Sequence, residues 1–218
     1  MKKYKGLFFI LLAITRSLLI FIKNIFFPPL CGVCRKDCGK FLCDICATKL
    51  IPSFQLQNYS FDIPIYTLFQ KNYTIKILIH NLKYRFYEEI ADIFSNTLQD
   101  GLQKLDLHNS LYSFVPVPLH PTRKSMRGFN QTEKILQGFS QISIIRKRNT
   151  HSQARLQRYQ RIQNVKDAFV CRDTLDSACT YIIFDDVVTT GSTIIEVATA
   201  LRKSGAERII GLALTRGI

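Results

Sequence analysis

The sequence predicts an α/β protein, a parallel sheet flanked by helices, with a small cysteine-rich segment in front and a hydrophobic helix before that. Three observations carry this. Near the C-terminus the chain reads strand, loop, helix, strand over residues 180–214, one βαβ unit with a parallel pair and right-handed crossover. Upstream, β-branched and aromatic runs alternate with segments of helical apolar spacing. Between residues 31 and 46, two C-x-x-C pairs mark a segment too short to build its own core. A chain of 218 residues, 47% hydrophobic and 21% charged, can bury one moderate domain with an appendage, which excludes disordered, collagenous and low-complexity classes. The expected division is residues 1–30 as a hydrophobic, basic helix, 31–50 as a four-cysteine zinc ribbon and 51–218 as the α/β body.

The leader, MKKYKGLFFILLAITRSLLIFIKNIFFPPL, carries five bases and no acid. A secretory signal is not expected, because the apolar run from Leu7 stops at Arg16 and no small-residue cleavage site follows. A spanning helix would place Arg16 near the bilayer centre, at roughly 2.5–3.5 kcal/mol. At 100° per residue Lys5, Arg16 and Lys23 fall within about 20° of one line, a narrow basic stripe on an apolar body. Two settings suit it and both stay open: docking on its own domain with the bases snorkelling, or peripheral attachment to the cytoplasmic face of a membrane. Pro28 and Pro29 end the helix.

Cys31 and Cys34 form the first pair, Cys43 and Cys46 the second. Two thiolates at i and i+3 grip one edge of a tetrahedron and a second knuckle supplies the other, the spacing of a structural zinc site. A disulfide framework would want an oxidising compartment and an even count, but the chain has seven cysteines. Cys38 is the spare, able to substitute for Cys34 or Cys43. Cys171 and Cys179 have no partner motif and read as ordinary thiols. Retained thiols imply a reducing cytosol.

In the body, strands are expected over Ile63–Phe69, Leu111–Val117, Ile142–Ile145, Thr180–Phe184 and Arg208–Leu214. Helices are expected over Tyr73–Leu82, Glu88–Leu105, Asn130–Phe139 and Ser192–Lys203, with Gly205 as the last one's stop. Residues 121–166 hold eleven bases and one acid, against a whole-chain charge of +14. Such a district favours anionic partners. With Phe129, Phe139 and Tyr159 interleaved, it suits a groove that follows a sugar-phosphate backbone and stacks unpaired bases. A solvated basic face that also serves a small anion is the alternative. Lys83, Tyr84 and Arg85 extend the track weakly.

The sharpest chemistry lies in YIIFDDVVTTGSTI, residues 181–194. A buried strand ending in Asp185 and Asp186 puts paired acceptors where α/β proteins bind ligands. Thr189, Thr190, Gly191, Ser192 and Thr193 then enter a helix, offering backbone N–H groups and hydroxyls to a phosphate. A molecule with a diol and a phosphate would satisfy both halves. The plain alternative is a turn begun by Asp186 and a helix cap from Ser192, which leaves the other residues unexplained. The four histidines, His80, His108, His120 and His151, are scattered, and no acceptor site is legible.

The run FDDVVTTGST resembles the phosphoribosyl-pyrophosphate (PRPP) loop of type I phosphoribosyltransferases, and its combination with the cysteine segment resembles the ComF competence-protein family. A leader ending FPPLC, the paired C-x-x-C knuckles, VPVPLHPTRKSMRGFNQTE (residues 115–133), the basic Q-A-R-L stretch and the diphospho-loop follow in that family's order, from Phe26 to Thr215. The resemblance implies a phosphoribosyltransferase-like sheet behind a double zinc ribbon. By it Asp185 and Asp186 hold the ribose hydroxyls, directly or through Mg²⁺, and Thr189 to Thr193 cradle the 5-phosphate. Arg123, Lys124 and Arg127 face the diphosphate, and Gly128 gives room.

Two functions follow. The resemblance implies a competence factor for natural transformation, cytoplasmic and peripheral to the inner membrane, working with DNA-uptake or recombination proteins. It would bind incoming single-stranded DNA through Arg146, Lys147, Arg148, Arg155, Arg158 and Arg161, with PRPP as ligand or regulatory input. The other is a Mg²⁺-dependent phosphoribosyltransferase moving the ribosyl 5-phosphate of PRPP to a nitrogen nucleophile, in which metal and cations stabilise the leaving diphosphate.

Overall fold

The computed structural model describes residues 30–57, 62–85, 87, 89–105, 111–148 and 164–217. The leader up to residue 29 lies outside the described residues, as do Arg155, Arg158 and Arg161. The chain divides between Lys49 and Leu50 into two compact units.

In the first unit, a short helix α1 (Asp44–Ala47) starts directly after Cys43 and carries Cys46, so it forms the body of the second knuckle. Lys40 pairs with Asp44 one turn on, at the exposed surface. Gly32 packs against Phe41: a Cβ there would lie 2.2 Å from the ring, which would have to shift to admit it.

The second unit is built on a five-stranded sheet. In chain order its elements are β1 (Pro52–Gln57), β2 (Ile65–Phe69), α2 (Tyr73–Tyr84), α3 (Glu89–Gly101) and β3 (Tyr112–Pro116). There follow α4 (Pro121–Arg127), α5 (Gln131–Ile135), β4 (Ile145–Arg146), β5 (Phe169–Val170), β6 (Thr180–Val188), α6 (Ser192–Lys203) and β7 (Arg208–Arg216). The sheet order is β1-β2-β7-β6-β3, with every pair parallel except the antiparallel edge pair β1-β2. β4 and β5 form a separate antiparallel ribbon.

Strand alternation sorts β6 to two faces. Tyr181 and Ile183 join Ile194, Val197 and Leu201 of α6 in one buried cluster, with Ile65, Val115, Ile209 and Ala213. Ile182 and Phe184, also fully buried, point the other way, where Phe114 meets Phe184 edge-on at 6.4 Å. Phe94 of α3 packs on Phe69 of β2 at 5.9 Å. Burying a side chain of this size contributes roughly 1.5–3 kcal/mol.

Several elements differ from expectation. β6 does not stop at Phe184 but pairs with β7 as far as Val188, so Asp185 and Asp186 are strand residues and begin no turn. β1 has no counterpart among the expected strands: PSFQLQ is a half-exposed edge strand with a register shift between Pro52 and Gln55 and Phe54 at φ +43°. The helix expected over Asn130–Phe139 is only Gln131–Ile135, while the strand expected over Ile142–Ile145 shrinks to Ile145–Arg146. α4 buries no residue and so has no apolar periodicity to read; its ends make it. His120 accepts the Thr122 N–H, Pro121 starts the first turn, and Gly128 closes it in the left-handed region at φ +75°.

Candidate functional site

The parallel strands end at a common edge, and there β6 outruns β3. β3 pairs with β6 only as far as Phe184, after which the Val117 N–H donates to Phe184 O at 2.9 Å and the chains part. A cavity of about 270 Å³ opens beside this edge. Its wall includes Asp185, Asp186, Thr189, Gly191, Ser192 and Thr193 from the β6–α6 segment, and Arg123 and Arg127 from α4. Lys83, Tyr84, Gln131 and Arg146 complete the polar lining.

Local structure explains each placement. Gly191 takes φ +75° to turn the chain into α6, a conformation a side chain would strain. The turn is tied by Thr190 Oγ1 and Ser192 Oγ, 2.9 Å apart, and by the Ser192 N–H donating to Thr190 Oγ1 at 3.4 Å. A twelve-residue helix thus starts at the cavity, its amino end favouring negative charge. α5 is latched to the end of β3: Asn130 Nδ2 and Thr132 Oγ1 both donate to Val117 O, at 3.2 and 3.0 Å. That latch delivers Gln131 to Asp186, with Nε2 donating to Oδ2 at 2.6 Å. Lys83, in the last turn of α2, reaches the same oxygen at 2.7 Å.

Electrostatics divide the cavity. Asp185 is pushed up to about 7, first by burial and next by the adjacent Asp186, against the pull of Lys83 and Arg146. Three guanidiniums share the same lining. Burial, then Arg127, lowers Arg123, while burial and then Arg123 lower Arg146 to about 10. Arg127 lies over the Tyr84 ring at 5.3 Å and donates to Gln131 Oε1 at 3.0 Å. Arg146 lies over Phe169 at 5.2 Å and donates to Pro118 O at 3.3 Å. Clustered cations that depress one another favour an anion between them. The arrangement offers a phosphate seat at a helix start, an acceptor pair for hydroxyls and cations for a second anionic group.

Of the residues singled out from sequence, Lys124 and Gly128 lie outside the lining, and Lys124 pairs with Glu133 at 3.0 Å. Thr190 braces the turn without lining the cavity. Arg146, expected on a nucleic-acid track, is a cavity residue whose guanidinium donates to Pro118 O, two residues past β3, whereas Lys147 and Arg148 are exposed. Lys83 and Tyr84, expected to extend that track, also face the cavity. Gln131 carries no expectation from sequence, because a lone glutamine in a basic stretch has no motif to mark it.

In the first unit, the sulfurs of Cys31, Cys34, Cys43 and Cys46 all lie within 4.8 Å of one another, so these four could hold a metal such as zinc. Cys38 is not among them and donates to Lys40 O at 3.0 Å. Burial would raise Cys31, but N–H groups of Cys43, Cys34 and Val33 bring it down to about 6. Cys46, pushed up to about 12 by burial and by its neighbouring thiols, needs a cation before it can ionise. The described cysteines form no disulfide.

Among the described residues no helix is long and apolar enough to cross a membrane. No family model matches the chain. Curated relatives do. The DNA utilization protein YhgH of Salmonella typhimurium is 29% identical over 221 residues, covering 84% of this chain and 94% of that protein. The competence protein ComFC of Streptococcus pneumoniae is 27% identical over 68% of this chain and 66% of its own length. Competence protein F of Haemophilus influenzae is 35% identical over 48% of this chain and half of its own. With its cysteine knuckles and DDVVTTGST strand-to-helix turn set beside these relatives, the chain is a ComF family protein.

Proposed function

We propose that this protein handles single-stranded DNA in competence-type uptake at the cytoplasmic side of the inner membrane and binds PRPP in the β6–α6 cavity as ligand or regulatory input. The single observation that carries the PRPP reading is the meeting of Arg123, Arg127 and Arg146 with Asp185, Asp186 and the helix-start turn around one cavity. A phosphate at the turn, a diol at the acidic pair and a diphosphate at the guanidiniums use every part of it. The DNA reading is supported by the relatives' names and the +14 charge. With it go a leader over residues 1–30, a structural zinc ribbon over 31–50 held by Cys31, Cys34, Cys43 and Cys46, and a phosphoribosyltransferase-like domain over 51–218. Lys147 and Arg148 belong to the DNA surface in this reading, together with Arg155, Arg158 and Arg161, while Arg146 serves the cavity.

The test is a titration of zinc-replete protein with a fluorescent single-stranded oligonucleotide at two salt concentrations, with and without PRPP and Mg²⁺. Binding that falls steeply with salt, in proportion to phosphates neutralised, supports the reading. No binding at low salt overturns its DNA half. The cavity's acidic pair and phosphate turn equally favour a second reading, transfer of the ribosyl 5-phosphate to a nitrogen nucleophile. Mg²⁺-dependent pyrophosphate release with a base or amine would establish that one.

A further inference from the structure

Asp186 is 5% exposed, a depth at which an uncompensated carboxylate is strongly disfavoured. Its Oδ2 atom already has two donors, Lys83 Nζ at 2.7 Å and Gln131 Nε2 at 2.6 Å. Neither donor is loosely placed. Arg127 holds the Gln131 carbonyl at 3.0 Å, which leaves the amide nitrogen to face Asp186. The same guanidinium lies over Tyr84, the neighbour of Lys83 in the last turn of α2. The four elements α2, α4, α5 and β6 therefore close a ring around one carboxylate. Asp185 is engaged as well, its Oδ1 accepting the Asp186 N–H at 2.8 Å.

Two neighbouring carboxylates are ordinarily a candidate seat for Mg²⁺, but Mg²⁺ demands oxygen ligands in near-ideal octahedral geometry and gives up its water reluctantly. Here one of the four carboxylate oxygens carries an ammonium and an amide, and the ammonium repels a second cation at that spot. The Lys83 side chain is only 18% exposed, so water and salt screen this repulsion poorly. The donor set does not fit a resident divalent ion.

We propose that Lys83 is the built-in cation of this acidic pair: it neutralises and positions Asp186, so the pair holds no Mg²⁺ of its own, and any divalent ion in the cavity arrives on the anionic ligand. The statement about arrival rests on the PRPP reading; the assignment of Lys83 does not. Lys83 is in this sense a positioning residue, acting on a ligand through Asp186.

Full-length, zinc-loaded protein is titrated with Mn²⁺, a paramagnetic stand-in for Mg²⁺, and uptake is read from loss of the free-ion resonance signal. Wild type and Lys83→Arg are expected to take up no ion at the pair. Lys83→Met gains one site per chain, about tenfold or more tighter than any wild-type uptake, and Lys83→Met with Asp186→Asn loses it again. A wild-type site that Asp186→Asn removes would overturn the proposal, as would a Lys83→Met protein with wild-type circular dichroism that binds Mn²⁺ no better than wild type. If Lys83→Met does not fold, the wild-type and Lys83→Arg titrations decide alone: an ion bound at the pair refutes the assignment, and none supports it. PRPP binding by wild type is measured separately, with Mg²⁺ and with a chelator. Failure to bind PRPP in either condition defeats the proposed ligand and leaves the Mn²⁺ result standing.

Discussion

At the scale of single residues, the titration of Asp185 gives a pH prediction with a definite sign. Its folded carboxyl stands at about 7, against an ordinary value near 3.9 in an unfolded chain. The folded state therefore holds the proton over that interval, and the stability this contributes is present below about pH 4 and lost as pH rises toward 7. Asp185→Asn removes the dependence, so its stability relative to wild type should rise by about 2 kcal/mol or more between pH 4 and 8 in denaturant titrations. A difference that stays flat across that range would contradict the burial argument. Arg146 supplies a second test, because it lines the cavity while its sequence neighbours are exposed. Arg146→Ala should weaken PRPP about tenfold or more and leave oligonucleotide affinity nearly unchanged. Lys147→Ala with Arg148→Ala should do the reverse and reduce the salt slope of DNA binding by roughly two. Equal losses of both ligands in both variants would erase the division between surfaces.

At the scale of elements, the cysteine knuckles and β6 make separate predictions. Zinc content measured by mass spectrometry should fall from one per chain to none in Cys43→Ser, which removes one corner of the tetrahedron. Cys38→Ser should keep its zinc, because that sulfur lies outside the cluster; loss there would move the ligand set. In β6, Phe184 is fully buried beneath Phe114 on the face opposite α6. Phe184→Ala should cost about 3–5 kcal/mol in thermal or chemical unfolding, a transfer loss plus an unfilled cavity. The same strand carries Asp185 one residue on, so ligand affinity in that variant reports whether the core face fixes the acidic pair.

At the scale of the whole molecule, the distinction between what lay along the chain and what folding assembled is clear in particular residues. The β6–α6–β7 unit was legible because its apolar strands, Gly191 turn and helix follow one another without interruption. The paired cysteines were legible because i and i+3 spacing is itself the geometry of a knuckle. The length of β6 was not, since Asp185 and Asp186 look like a strand's end until the neighbouring strand β7 pairs on past them to Val188. α4 was not, because a helix with no buried face leaves no periodic trace and is defined by Pro121 and Gly128 at its ends. Order along the chain is enough to specify the α/β class, the paired cysteine knuckles, the strand-to-helix turn and the basic middle of the chain, all properties of residues close together along the backbone. Which distant side chains join that turn depends on how the strands and helices pack. Lys83, Gln131 and Arg146 come from three separate elements, and parallel strands gather the segments that follow them at one edge whatever their separation in sequence.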